Sequence, residues 1–331
     1  MKKLYSFLLI LMTAILLMTG CASNDDTNKD QAQDNSSDPQ TEETEGEDAA
    51  SDEAAFPVEI VDGTGEKVTI KAKPEKIVSI IPSATEIAFA LDLGEQIIGV
   101  SDNDNYPEEV ADKEKVGGME LNIEKIISLE PELVLADLMN DPDGLQQIRD
   151  AGIPVLVAGE ANNFDDVYEV IEMIGKGTGT TDKATEMIDG MKSDLAALQE
   201  KAKKIEKDDE KNVFVEVSPE PEIYTTGKNT FMDELLNVIH AKNVAGEEEG
   251  WIKLNEEAIL SYNPDVVIVA YNYMEDAEDA VLARAGWEDV QAIKDKQVFE
   301  INEDIVSRPG PRLVEGAEEL AKAIYPEVFE N

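Results

Sequence analysis

Two matching stretches constrain this chain's fold more than any other feature. NIEKIISLEPELVLAD, from Asn122, aligns with NEEAILSYNPDVVIVA, from Asn255, pairing Asn122 with Asn255, Glu124 with Glu257, Ile126 with Ile259, Ser128 with Ser261 and Pro131 with Pro264. Each copy reads as a short helix, a proline-marked turn and a buried strand, and each follows a glycine-led segment, GGMEL from Gly117 or GWIKL from Gly250. Between the copies, Ala184, Ile188, Met191, Leu195, Leu198, Ala202 and Ile205 recur at steps of four and three, an apolar stripe on one face of a helix over 182–206. Thr180 and Thr181 suit its cap, Asp182 its positive end and Lys203, Lys204 and Lys207 its negative end. At 1.5 Å per residue it would run roughly 35–40 Å, about the width of a domain. One matching unit on each side of a long helix predicts an α/β protein of two pseudo-equivalent three-layer lobes. The expected boundaries are an N-terminal lobe over 56–180, a connecting helix over 181–207 and a C-terminal lobe over 208–331.

Ahead of the lobes, Lys2 and Lys3 precede an apolar run from Leu8 to Met18, followed by Thr19, Gly20 and the only cysteine, Cys21. This is the pattern of a signal peptide over 1–21, too short for a comfortable membrane span. The small residues before Cys21 resemble the lipobox of bacterial lipoproteins, in which that cysteine is lipidated, with Met18 standing where leucine is usual. A single cysteine rules out an intrachain disulfide. Residues 22–55 carry twelve acids against one lysine and almost no large apolar side chain, so they read as a disordered acidic tether. Of the formal charge of −45, about −36 falls on the remainder, which repels nucleic acid and anionic lipid. Such acidity reads as adaptation to salty or alkaline surroundings.

The body opens with VEIVDGTGEKVTI, two alternating strands around Asp62-Gly63, a hairpin. KIVSIIPSATEIAFALDLG then runs strand, turn, helix, the arrangement with which open α/β sheets present ligands. GKGTG, from Gly175, lacks the spacing of any phosphate-binding motif and reads as a linker. Asp102-Asn103-Asp104-Asn105 fails as a calcium loop because Tyr106 and Pro107 stand where an oxygen ligand and a glycine are needed. His240 is the only histidine, which excludes metal sites of two or more histidines, and no G-x-S-x-G accompanies it for a serine triad. No enzymatic activity, metal or cofactor is expected. Carboxylate-dependent glycoside hydrolysis is the enzymatic alternative that residue types leave open, with few aromatics to stack on sugars. A purely adhesive surface protein is the other alternative, and it would not need a cleft between matched lobes.

PEKIVSIIPSATEIAFALDLGEQIIGVSDNDNYP resembles the opening of the substrate-binding proteins of ABC importers for cobalamin, iron siderophores and haem. GGMELNIEKIISLEPELVLAD, YTTGKNTFMDELL, GWEDVQAIKDKQVFEI and RPGPRLVEGAEELAKAIYPE continue the likeness in order. The resemblance implies two lobes bridged by one helix with the ligand cleft between them. It also implies a monomer, lipid-anchored on the outer face of the cytoplasmic membrane of a Gram-positive type of cell, that hands its ligand to a permease with ATPase subunits. In that family each lobe presents a rim glutamate to permease arginines. Glu86 matches the first and Glu234 the second, with Asp233 and Glu220 as neighbours able to substitute. Strand ends converge on the crevice, which makes Tyr106, Met119, Met139, Asn140, Trp251, Tyr271, Asn272 and Tyr273 the expected lining, with Arg308 facing it or packing at a helix start. Trp287 is expected in the core. A lining of Trp, Tyr, Met and Asn with few cations suits a large, flat, uncharged ligand, and the NYP loop and GGMELN resemble the cobalamin branch. Neutral ferric hydroxamates come second and haem third.

Overall fold

The computed structural model of the protein describes residues 56–330; the signal sequence, Cys21 and the acidic tether lie outside them. The chain opens with the antiparallel hairpin β1 (Val58–Val61) and β2 (Lys67–Ile70). It continues through β3 (Ile77–Ser79), α1 (Pro82–Ala90), β4 (Ile97–Val100), β5 (Glu114–Lys115), α2 (Ile123–Ser128), β6 (Leu133–Asp137), α3 (Pro142–Asp150), β7 (Val155–Ala158) and α4 (Phe164–Thr178). Strands β3 to β7 form one parallel sheet in the order β5-β4-β3-β6-β7. The crossovers leave β3 in opposite directions, so the gap beyond the C-terminal ends of β3 and β6 is a topological switch point.

Helix α5 (Thr181–Ala202) follows. Its stripe is buried at Ala184, Ile188, Met191, Leu198 and Ala202, with Leu195 packed alongside and Ile205 buried in the turn beyond. The helix ends four residues before the expected Glu206. Thr180 makes no side-chain cap and instead shares a 2.9 Å hydroxyl contact with Thr178. GKGTG is not a linker: it is the last turn of α4, closed by Gly179 in the left-handed conformation (φ 69°) that a helix terminus requires.

The second lobe contains β8 (Asn212–Glu216), β9 (Tyr224–Thr226), α6 (Phe231–Val238), β10 (Lys242–Asn243), β11 (Trp251–Lys253), α7 (Glu256–Tyr262), β12 (Val266–Val269), α8 (Ala277–Leu282), α9 (Gln291–Lys294) and β13 (Val298–Glu300). Helices α10 (Glu303–Ser307), α11 (Leu313–Ile324) and α12 (Pro326–Phe329) close the chain. A second parallel sheet runs β10-β8-β12-β13, and β9 pairs with β11 in a small antiparallel ribbon. Its switch point lies beyond β8 and β12.

The matched residues of the two units prove to be local structural devices. Asn122 and Asn255 cap α2 and α7, accepting from the backbone N–H of Lys125 at 3.0 Å and Ala258 at 2.8 Å. Ser128 and Ser261 donate to the carbonyls of Lys125 and Ala258 at 2.8 and 2.7 Å. Glu130 and Asn263 both take positive φ just before Pro131 and Pro264, which stop each helix. The Asp62 turn is wider than a two-residue loop, with the Asp62 carboxylate accepting from the Thr64 and Glu66 backbones and, through its other oxygen, from Val157 of β7.

Asp104 is buried beside the first sheet, where its Oδ2 accepts from Ser101 at 2.6 Å while Oδ1 has no partner. Burial pushes its carboxyl above the ordinary aspartate range, only partly offset by the Ser101 and Thr85 hydroxyls and Lys115. A carboxyl whose folded pKa lies above its unfolded value binds protons better in the fold. Its contribution is therefore most favourable below the unfolded pKa and declines as pH rises through the folded one. Asp104→Asn should reduce the loss of stability between those two pKa values, measured as melting temperature against pH beside the parent chain.

Candidate ligand-binding cleft

Both switch points open onto one crevice. A chamber of 480 Å³ is walled on the first lobe by Ile81, Pro82 and Ser83 after β3, Asp137 to Met139 after β6 and Gly159 to Asn162 after β7. The second lobe supplies Thr230, Phe231, Trp251, Ser307, Arg308 and Pro309. A further chamber of 340 Å³, lined among others by Val217, Ser218, Met232, Ala270 and Glu303, shares Trp251 and Ser307 with it. Trp251, on the exposed ribbon strand β11, therefore stands where the chambers meet.

Large apolar side chains left exposed concentrate around this crevice. Trp251 is 57% exposed, Met139 87%, Met119 94% and Tyr273 67%, with Leu138 and Tyr106 about half exposed. Among the described residues the other large exposed apolars are Val61 on β1 and Leu260 on α7. Exposed apolar surface is unfavourable unless something covers it, so its collection on loops from both lobes marks a binding surface.

Of the expected lining, the structure brings Met139, Trp251 and Arg308 into the larger chamber. Met119, Asn272 and Tyr273 are exposed on neighbouring loops but line neither chamber, and Tyr106 lies flat against Arg312, the guanidinium 3.8 Å from the ring centre. Two expectations are corrected. Tyr271 is fully buried, its hydroxyl donating to Glu216 Oε1 at 2.9 Å. Asn140 closes the turn after β6 by accepting from the Asp137 backbone N–H. Trp287 is in the core as expected, with Arg284 4.4 Å over its ring. Sequence reasoning missed the Gly159–Asn162 loop and Ser307; the former follows a strand end and the alternation of parallel units could have found it.

Glu86 is the largest correction. Expected on an outer rim, it is 2% exposed, enclosed by two arginines from the other lobe. Glu234 is half-buried in a groove of 540 Å³ with Asp165, Lys192 and Gln199. Burial, then Asp233 and Asp165, push its carboxyl above the usual glutamate range. His240 lines a separate groove with Asp233, Asn237 and Asn243.

The crevice is electrostatically one-sided. Arg308, the one cation among the described residues lining either chamber, is bound to Glu86 and Asp304 at 2.9 and 2.7 Å, whereas Asp137, Glu160 and Glu303 add acids to the walls. Burial raises the Asp137 carboxyl, opposed by the Met139 and Asn140 backbone, and burial followed by Asp304 raises that of Glu303. Such a crevice disfavours an anion, and its Trp and Met side chains offer flat apolar surface to a ligand.

Two parallel-sheet lobes on either side of one long helix, facing each other across a crevice, define a solute-binding protein. A family model described as periplasmic binding protein matches residues 77–305, and the chain belongs to that family, whose members bind solutes and are not enzymes. The chain is 46% identical over its whole length to the whole of the uncharacterized ABC transporter substrate-binding lipoprotein YvrC of Bacillus subtilis. It is 28% identical to a vitamin B12-binding protein of Vibrio parahaemolyticus, over 75% of this chain and 88% of that one. Among solved structures, a possible iron-binding solute-binding protein of Staphylococcus epidermidis superposes with a TM-score of 0.69 at 34% identity, covering 77% of this chain and all of the other.

Proposed function

We propose that the protein is the lipid-anchored solute receptor of an ABC importer, held on the outer face of the cytoplasmic membrane through Cys21, and that it binds cobalamin or a related corrinoid. The observation that carries this reading is the pairing of exposed Trp251, Met139 and Leu138 with a crevice in which Arg308, the one cation among the described lining residues, is already neutralised. An anionic catecholate siderophore or the propionates of haem would need free arginine or lysine there. The name of the B. subtilis relative supports the lipoprotein receptor and that of the V. parahaemolyticus relative the corrinoid. A neutral ferric hydroxamate, which needs no free cation, suits these walls too, and the likeness to the S. epidermidis protein keeps it as the second reading.

The receptor performs no chemistry; it captures the ligand and presents it to the permease. Glu234, on α6 and half-buried, is the acid proposed to pair with a permease arginine, a contact whose charge-assisted hydrogen bonds are geometrically specific. Deleting the receptor from a host dependent on external cobalamin should lower uptake of labelled cyanocobalamin at least about tenfold, the effect of losing roughly 1.4 kcal/mol or more of capture. Reintroducing the Glu234→Ala receptor should restore cyanocobalamin binding at the cell surface but not uptake. Unchanged uptake in the deletion would contradict the assigned function, and full uptake with Glu234→Ala would remove that residue from docking.

A further inference from the structure

The chain has four arginines, Arg149, Arg284, Arg308 and Arg312, among 73 acidic residues, and two of the four converge on one carboxylate in the opposite lobe. Arg312, just ahead of α11, donates from Nε to Glu86 Oε2 at 2.8 Å and from Nη2 to Oε1 at 2.7 Å, a two-pronged grip. Arg308 donates from Nη1 to Glu86 Oε1 at 2.9 Å and to Asn105 Oδ1 at 2.7 Å, while its Nη2 lies 2.7 Å from Asp304. Asn105 of the first lobe donates to Asp304 of the second at 2.8 Å, and the Tyr106 ring covers Arg312. Two carboxylates balance two guanidiniums, so the cluster is neutral as a unit. Glu86 lies midway along α1 with Ala84, Ile87 and Ala88 buried around it, so its carboxylate is withdrawn from water.

We propose that Glu86, Arg308 and Arg312, with Asn105 and Asp304, form an inter-lobe latch that keeps the ligand-free receptor closed and thereby sets how fast ligand enters and leaves. Arg308, Ser83 and Pro309 also wall the larger chamber, so parting the latch opens that wall directly. Multiple charge-assisted bonds in a neutral, mostly buried cluster favour the closed arrangement, and removing one charged partner leaves the other in a poorly solvated place. The equilibrium between closed and open lobes then shifts by whatever differential energy the cluster supplied. Asn105, Asp304 and Tyr106 act through the arginines and are positioning residues.

The test uses spin labels on the full chain with Cys21→Ser, placed at exposed Glu109→Cys in the first lobe and Asp279→Cys in the second. The parent should show one narrow distance distribution without ligand. Glu86→Gln, which keeps shape and loses charge, should add a longer-distance population at least about ten times larger than any in the parent, as should Arg312→Gln. The double variant should shift no further than either single one, the signature of one shared interaction. Arg312→Lys, which keeps charge but not the two-pronged geometry, gives an intermediate population and serves if Glu86→Gln fails to fold. In stopped-flow mixing with cyanocobalamin, the Trp251 signal should show faster association and faster dissociation, each by about tenfold, with a smaller change in affinity. An unchanged distance distribution in folded Glu86→Gln and Arg312→Lys chains overturns the latch. This kinetic arm rests on the corrinoid reading: if cyanocobalamin gives no signal while label distances still broaden, that reading fails and the latch stands.

Discussion

Replacing Arg284 by alanine is expected to lower stability by about 3–5 kcal/mol, because it strands Glu216 as an uncompensated charge in the core. Glu216, at the end of β8, is wholly buried; Arg284 reaches its two oxygens at 2.6 and 2.8 Å, and the Tyr271 hydroxyl takes a third bond. For a body of this size, about 2–4 °C of melting temperature accompanies each kcal/mol, so a drop of roughly 6–20 °C is the expected reading. Removing both charges in Glu216→Leu with Arg284→Met should recover much of that loss, since two apolar groups leave no buried charge, although the Tyr271 hydroxyl then lacks its acceptor. A drop below about 1 kcal/mol in the single variant, typical of an exposed pair, would contradict the buried geometry. The network also reaches the surface: the Tyr271 ring centre lies 5.4 Å from that of exposed Tyr273.

Trp251→Ala is expected to weaken ligand binding by about 30-fold or more, the loss of roughly 2 kcal/mol that a central aromatic anchor supplies. The indole stands on a ribbon strand between the two chambers, more than half exposed, and no other residue but Ser307 lines both. Its truncation should leave the melting temperature within about 2 °C of the parent, as an exposed side chain away from the core contributes little to folding. Equal affinity in the parent and in Trp251→Ala would show that the ligand does not occupy this crevice.

What the sequence revealed follows from the range of the interactions involved. The paired units were legible because Asn122, Asn255, Ser128 and Ser261 act on backbone three residues away, so the pattern carries its own cause. The stripe of α5 was legible for the same reason of fixed helical period. Tyr271 was misplaced because β12 and the residues after it are buried on both faces, and a strand without alternation gives no sign of which way its continuation points. Glu86 was misplaced because a glutamate in a short helix normally meets water, and the arginines that enclose it lie 222 and 226 residues further along the chain. The chambers followed the strand ends, whereas the Gly159–Asn162 loop carried no residue type that announces a ligand.

Isothermal titration of the mature receptor with cyanocobalamin, a neutral ferric hydroxamate and haemin, run in parallel with Trp251→Ala, decides whether this crevice is a corrinoid site. Saturable 1:1 heat with cyanocobalamin that weakens by about 30-fold or more in the variant, with no comparable binding of haemin, is the expected result. Tight 1:1 binding of the hydroxamate or haemin with no cyanocobalamin signal would contradict it.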